Sequence, residues 1–160
     1  MLGYFSLFLV IKFIFMSKPK IILIMGLPGS GKTTFAKRLH QHLPNSIRLN
    51  GDVIRDLYHD WDFSIDGRLR QASRLKELAK SNLLATDTKY IIIDFVCPLP
   101  EQLEIINPNY VIWINTVTRS KYEDTDNMFD KPYIFNVEIT NYAYKIKKIT
   151  QTLTQALADD

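Results

Sequence analysis

Gly26 to Thr33 read GLPGSGKT, a complete G-x-x-x-x-G-K-[ST] phosphate loop between the apolar run Lys20 to Met25 and a helical pattern. A buried strand thus delivers the chain to a turn in which Gly26, Gly29 and Gly31 let backbone N–H groups face inward around a polyphosphate. The helix that follows adds its positive N-terminal dipole. Leu27, Pro28, Ser30 and Thr34 complete the nucleotide-binding stretch. Lys32 is set to neutralise β and γ oxygens, and the Thr33 hydroxyl to ligate Mg²⁺. The pattern points to a bound nucleoside triphosphate.

Working outward, strand and helix signals alternate as in a parallel α/β sheet. Lys20 to Met25 is the first strand and Thr33 to His42 the first helix; Ser46 to Asn50 is a short strand and Asp52 to Tyr58 a short helix. Asp66 to Ala85 forms a long amphipathic helix with Ala72, Leu75, Ala79 and Leu83 at helical spacing and Arg68, Gln71 and Arg74 on another face. Tyr90 to Val96 and Tyr110 to Asn115 are apolar enough for central strands covered on both sides, with a helix from Leu99 to Asn107 between them. Phe135 to Ile139 is a last strand, and Asn141 to Ala158 a closing helix with Tyr142, Ile146, Ile149 and Leu153 inward. The expected architecture is a three-layer P-loop NTPase fold, a mainly parallel sheet with helices on both faces.

The 160 residues suit one domain, and a formal charge of +3 gives no composition-level case for nucleic acid. A small anionic partner fits better. The lone Cys97 excludes an internal disulfide and fits a reducing cytoplasm. Residues 1–16, MLGYFSLFLVIKFIFM, stand apart from the domain expected over 17–160: they are apolar, interrupted by Lys12, and shorter than the roughly 20 residues of a spanning helix. The preferred expectation is that translation starts at Met16. Otherwise the segment is a tail or an interfacial stretch, and no stable membrane insertion is expected.

Ligands of such sheets bind beyond the carboxyl ends of the strands, where the phosphate loop, Asp52, Asp94 and the segment after Asn115 all emerge. Asp52 can accept a hydrogen bond from an acceptor hydroxyl and help hold Mg²⁺, with Arg55 one turn on to hold an anionic group. Alternatively Asp52 only N-caps the short helix and Arg55 is a solvated charge. Asp94, at the end of YIIID, has the position of a Walker B carboxylate; the alternative is a cap or a pairing with Lys32 or an arginine. Phe63 offers a flat face for a base, and Arg68 and Gln71, three apart, can hold an anion and a polar edge, although such faces are commonly just solvated.

The order of these pieces resembles the adenylylsulfate kinase family. GLPGSGKTT, LNGDVIR, FSIDGRLRQASR and a strand ending in DFVCP follow the family pattern GLSGSGKTT, LDGDNVR, FSxxDRxENxRR and SFISP over roughly Ile21 to Leu99. The resemblance implies transfer of the γ-phosphoryl of ATP, with Mg²⁺, to the ribose 3′-hydroxyl of adenosine 5′-phosphosulfate, and commonly a homodimer. It implies Asp52 near the accepting hydroxyl, Arg55 and Arg68 on the phosphosulfate, Phe63 against the adenine and Gln71 in the same pocket. This chain departs from the pattern at Asn50, where the family has aspartate, and at Asp94 and Cys97, where it has serines. Cys97 excludes phosphoserine chemistry, so direct transfer from ATP is the simpler scheme. The family's long basic lid is shortened here to TRSKYEDTDNMFDKP, in which Arg119 and Lys121 can reach the nucleotide phosphates and Phe129 can replace the lid aromatic.

The sequence therefore reads as a kinase whose catalytic group is Lys32, Asp52, Asp94 and Arg119, with Thr33 and Asp52 on the metal. Its expected substrate residues are Arg55, Phe63, Arg68, Gln71 and Phe129. Other acceptors stay open: another nucleotide, a sugar, an antibiotic or a polynucleotide end. So does an ATP-binding module without turnover. A GTPase switch lacks its N-K-x-D element.

Overall fold

Along β1 (Lys20–Met25), Ile21, Leu23 and Met25 join one buried cluster while Ile22 and Ile24 join another. That is the two-residue period of a pleated strand with both faces covered, and it is why the run looks continuously apolar. The computed structural model describes residues 18–81 and 87–158. The extension expected over 1–16, Leu83 and the last part of the helix expected through Ala85 lie outside the described residues.

The elements after β1 are α1 (Lys32–His42), β2 (Ser46–Asn50), α2 (Gly51–Leu57), α3 (Ile65–Ser81), β3 (Tyr90–Asp94), α4 (Pro100–Ile106), β4 (Tyr110–Ile114), α5 (Glu123–Met128), β5 (Val137–Ile139) and α6 (Ile146–Ala158). The strands form one sheet in the order β2-β3-β1-β4-β5, every pairing parallel. On one face Ile54 of α2, Ala72, Leu75 and Ala79 of α3, and Leu103 and Ile106 of α4 pack on Leu23, Ile91, Ile93 and Trp113. On the other, Phe35, Ala36 and Leu39 of α1 and Leu153 and Leu157 of α6 cover Ile22, Ile24, Ile92 and Ile112. The three-layer α/β architecture is thus present. No helix among the described residues is long and apolar enough to cross a membrane.

Local chemistry sets the element borders. Asn50 caps α2, its side chain accepting from the Val53 N–H at 3.0 Å, so the capping alternative for Asp52 falls away. Ser64 accepts from the Gly67 N–H at 3.1 Å, which starts α3 at Ile65. The closing helix begins at Ile146, later than expected, because Asn141 closes a local turn by accepting from the Ala143 N–H at 2.9 Å. Tyr142 is consequently not inward: it is exposed, with its ring beside Gly31 and its hydroxyl 3.3 Å from Thr116 Oγ1. The short helix α5 was not expected, since EDTDNM carries no apolar period.

Close approach requires the first glycine of the loop. Gly26 has φ of 150°, and a Cβ there would collide with the Ile114 carbonyl of β4, whereas a Cβ on Gly29 would meet open space. Gly26→Ala should therefore cost about 3 kcal/mol and Gly29→Ala, strained only by its positive φ, about 1 kcal/mol. Urea midpoints at constant slope would measure both. Equal losses would show that the contact with β4 is not what demands Gly26.

Candidate active site

The phosphate loop leaves β1 at the switch point, between β3 on one side and β4 on the other, where crevices open in such sheets. Gly26, Gly29 and Gly31 all have positive φ, and α1 starts without a side-chain cap. Its first N–H groups are thus left to the loop. Thr116 Oγ1 donates to the Ser30 carbonyl at 2.6 Å, while the buried Ser30 Oγ has no partner. An orphaned hydroxyl inside a glycine cradle fits a phosphate-binding loop, because a buried polar group without a partner is otherwise costly.

A cavity of about 740 Å³ opens over this loop. Its wall joins Pro28, Gly29 and Gly31 to Thr34 with Asn50, Asp52, Phe63, Arg68 and Asp94, so most of the residues singled out in the sequence share one space. Lys32 is almost wholly buried and donates from Nζ to the Leu27 carbonyl at 2.8 Å. Burial lowers its pKa to about 8, against the opposing pull of Asp52 and Asp94. Two consequences follow from that sign. ATP affinity should fall as pH rises through about 8, where the ammonium is lost. The free protein should gain stability between about 8 and the ordinary lysine value of 10.5, where only the unfolded chain keeps the proton. Calorimetric titration with ATP from pH 7 to 9.5 measures the first; a flat profile would remove Lys32 from the phosphate contact.

Asp94 ends β3 beside the loop. Its Oδ2 accepts from Thr33 Oγ1 at 3.2 Å and from Asn50 Nδ2 at 2.7 Å, and its Oδ1 pairs with Arg48 Nη1 at 3.0 Å. Desolvation pushes its pKa up, and the hydrogen bond from Asn50 and the charge of Arg48 hold it back. The pairing of Asp94 with an arginine is therefore present, and the same carboxylate sits against the Thr33 hydroxyl. Asn50 and Asp94 are also in register across β2 and β3. Two of the departures from the family pattern thus meet in space, with the carboxylate on β3 and the amide on β2.

On the same cavity wall, Phe63 is half exposed, with the Arg55 guanidinium 4.6 Å and the Arg68 guanidinium 5.5 Å from its ring centroid. Trp61, unremarked in the sequence, lies 6.2 Å from Phe63 on the same wall. Arg68 is buried; it donates from Nε to the Phe63 carbonyl at 2.8 Å and from Nη2 to Asp124 and Thr125 of α5 at 3.1 and 3.0 Å.

Outside the phosphate loop, four expected residues are off the cavity wall. Arg55 is buried behind Phe63, its Nη1 donating to the carbonyls of Asp60 and Asp62, each at 2.9 Å. Gln71 is also buried, donating to the Gly51 carbonyl at 2.9 Å and accepting from Arg74 at 2.7 Å. Phe129 packs against the core beside Trp113, and the exposed Arg119 lies outside the wall, which Lys121 and Tyr122 line instead. The aromatic of this segment on the cavity wall is thus Tyr122, seven residues before Phe129, which no sequence spacing signalled. Cys97 is buried in the core with its thiol pKa raised by desolvation, which leaves it inert.

Residues 18–110 match the adenylylsulphate kinase family. A cytidine diphosphoramidate kinase of Campylobacter jejuni is 35% identical over 68 residues, and the match spans only 40% of this chain and 40% of that protein. An APS kinase of Mycobacterium tuberculosis, solved with AMPPNP and APS, superposes with a TM-score of 0.65 at 17% identity, over 89% of this chain and 99% of that one. A sugar kinase of Janibacter gives 0.62 at 12% identity, over 88% and 95%. At such identities the superpositions establish the fold, that of the P-loop kinases. The family match covers more than half of the residues, on the described sheet and phosphate loop, and the chain therefore belongs to the adenylylsulphate kinase family.

Proposed function

We propose that this protein transfers the γ-phosphoryl group of ATP to a ribose hydroxyl of a small nucleotide whose 5′ end is a two-unit acid anhydride. Adenosine 5′-phosphosulfate, with its 3′-hydroxyl, is the acceptor that the family's name suggests. The observation that carries the reading is a single cavity whose wall includes Lys32 and Thr33 together with the buried Arg68 beside Phe63. The first pair suits a triphosphate, the second a base and an anionic tail. Cytidine diphosphoramidate is a second acceptor of the same class, favoured by the Campylobacter jejuni relative.

In this scheme the acceptor oxygen attacks the γ-phosphorus, the bond from γ-phosphorus to the β,γ-bridging oxygen breaks, and ADP leaves. Asp52, on the cavity wall, accepts the hydroxyl proton. Lys32 holds the β and γ oxygens, and the loop amides surround the phosphates. Mg²⁺, when bound, would supply positive charge against that developing on the transferred phosphoryl group. The Thr33 hydroxyl and the Asp94 carboxylate beside it suit that ion, with Asp52 on the same wall. Among the described residues no three of His, Cys, Asp and Glu cluster as a cage.

The test is incubation with Mg·ATP and either acceptor, following phosphorylated product by mass, with adenosine monophosphate as the acceptor that lacks an anhydride. Product that requires the anhydride supports the reading. ATP binding with no product from either acceptor would turn the assignment toward a different acceptor class or a non-catalytic module.

A further inference from the structure

Arg68 is the buried cation expected to meet the acceptor's terminal acid group, yet it already has an acidic neighbour. Its Nη2 lies 3.1 Å from Asp124 Oδ2; the arginine side chain is 5% exposed and the aspartate 58%. Thr125, next on α5, accepts from the same nitrogen at 3.0 Å, and Nη1 has no partner among the described residues. Arg68, Asp124 and Thr125 all line the cavity. The tail end of the site therefore presents N–H donors and a carboxylate acceptor side by side, with their charges balanced.

That pairing is unsuited to a group that only accepts hydrogen bonds. A sulfate brings lone pairs alone, and a terminal phosphate brings a second negative charge; either meets the Asp124 carboxylate as a repulsive neighbour. A phosphoramidate is complementary. Its oxygens accept from the guanidinium, its –NH₂ donates to the carboxylate, and it carries one negative charge fewer than a fully ionised phosphate.

We propose that Asp124 makes this cavity selective for acceptors whose terminal acid group carries an N–H donor beside its oxygens, and against acceptors that end in oxygen alone. The inference rests on the proposed function, specifically on Arg68 receiving the acceptor's tail. Because α5 supplies Asp124, the shortened lid is the specificity element, and the terminal group is sensed independently of the base.

The experiment compares kcat/KM for cytidine diphosphoramidate, cytidine diphosphate and adenosine 5′-phosphosulfate at saturating Mg·ATP, in the wild-type protein, Asp124→Ala and Asp124→Asn. The first two acceptors differ only at the terminal group. Wild-type protein should favour the amidated one by about tenfold or more, the scale of one charge-assisted hydrogen bond. Asp124→Ala should bring that ratio near one while raising use of the phosphosulfate, and Asp124→Asn, which keeps an acceptor oxygen, should fall between. Thermal melting checks that both variants fold, as the exposed carboxylate leads one to expect. An unchanged ratio in Asp124→Ala, or a wild-type preference for either oxygen-terminated acceptor, overturns the inference and leaves the proposed kinase reaction standing. Wild-type protein that phosphorylates none of the three overturns both.

Discussion

Lys32→Ala protein should lose about three orders of magnitude in kcat while melting no lower than the wild type. The loss follows from removing a preorganised cation at the phosphates, where single donors aimed at developing charge are worth about 10²–10³-fold and a full positive charge in a dry loop lies at the upper end. The retained stability follows from the sign of the pKa shift. Burial holds Lys32 near 8, so at neutral pH the folded protein bears the cost of a desolvated ammonium that the unfolded chain does not. Removing it relieves that cost. Activity and stability should thus move independently, as when a functional group is held at the expense of the fold. Measuring kcat and the melting temperature on one preparation settles both halves. A variant that keeps full turnover would sink the kinase reading, and one that loses turnover by unfolding would show Lys32 to be structural.

Arg68→Ala should act on the acceptor rather than on ATP. Its guanidinium holds the Phe63 carbonyl and reaches Asp124 and Thr125, and its face lies 5.5 Å from the Phe63 ring. Loss of a charge-assisted contact to the acceptor should reduce kcat/KM for that substrate about tenfold to a hundredfold, mostly through KM, with ATP dissociation unchanged. Arg68→Lys separates charge from shape, because an ammonium cannot serve Phe63, Asp124 and a ligand from one planar fork. It should recover only part of the acceptor affinity. Acceptor dependence that stays at the wild-type level would remove Arg68 from the site, and equal weakening toward ATP would mark a general collapse of the wall.

The residues legible in advance were those whose role depends on near neighbours in the chain. Ile21 to Met25, Ile91 to Ile93 and Tyr110 to Ile114 are apolar on both faces, so their strands could be read from composition, and the helices between them force a parallel sheet. The glycines of the phosphate loop announce its backbone conformation because few other residues tolerate positive φ. Where a local polar contact competes with periodicity, the reading failed. Tyr142 has the right spacing for a helix interior, but the Asn141 turn ends that option. Helix α5 had no periodicity to read, since Thr125 is anchored by a hydrogen bond from Arg68 rather than by apolar burial.

The same division runs through the site. By itself the sequence determined the α/β fold, the phosphate loop, and the family to which its motifs belong, because strand period, glycine conformation and motif spacing are properties of short segments. Only the tertiary structure decided which cations face the cavity. Arg55 and Arg68 look equivalent in sequence, yet Arg55 is committed to the carbonyls of Asp60 and Asp62 while Arg68 lines the wall. It also decided that the carboxylate of Asp94 stands in register with Asn50, and that Tyr122 and Asp124, not Phe129, line the cavity. The physical reason is that a long side chain can reach several partners from one backbone position. Which partner it takes depends on burial and charge contributed by elements tens of residues away, as α5 contributes Asp124 to Arg68.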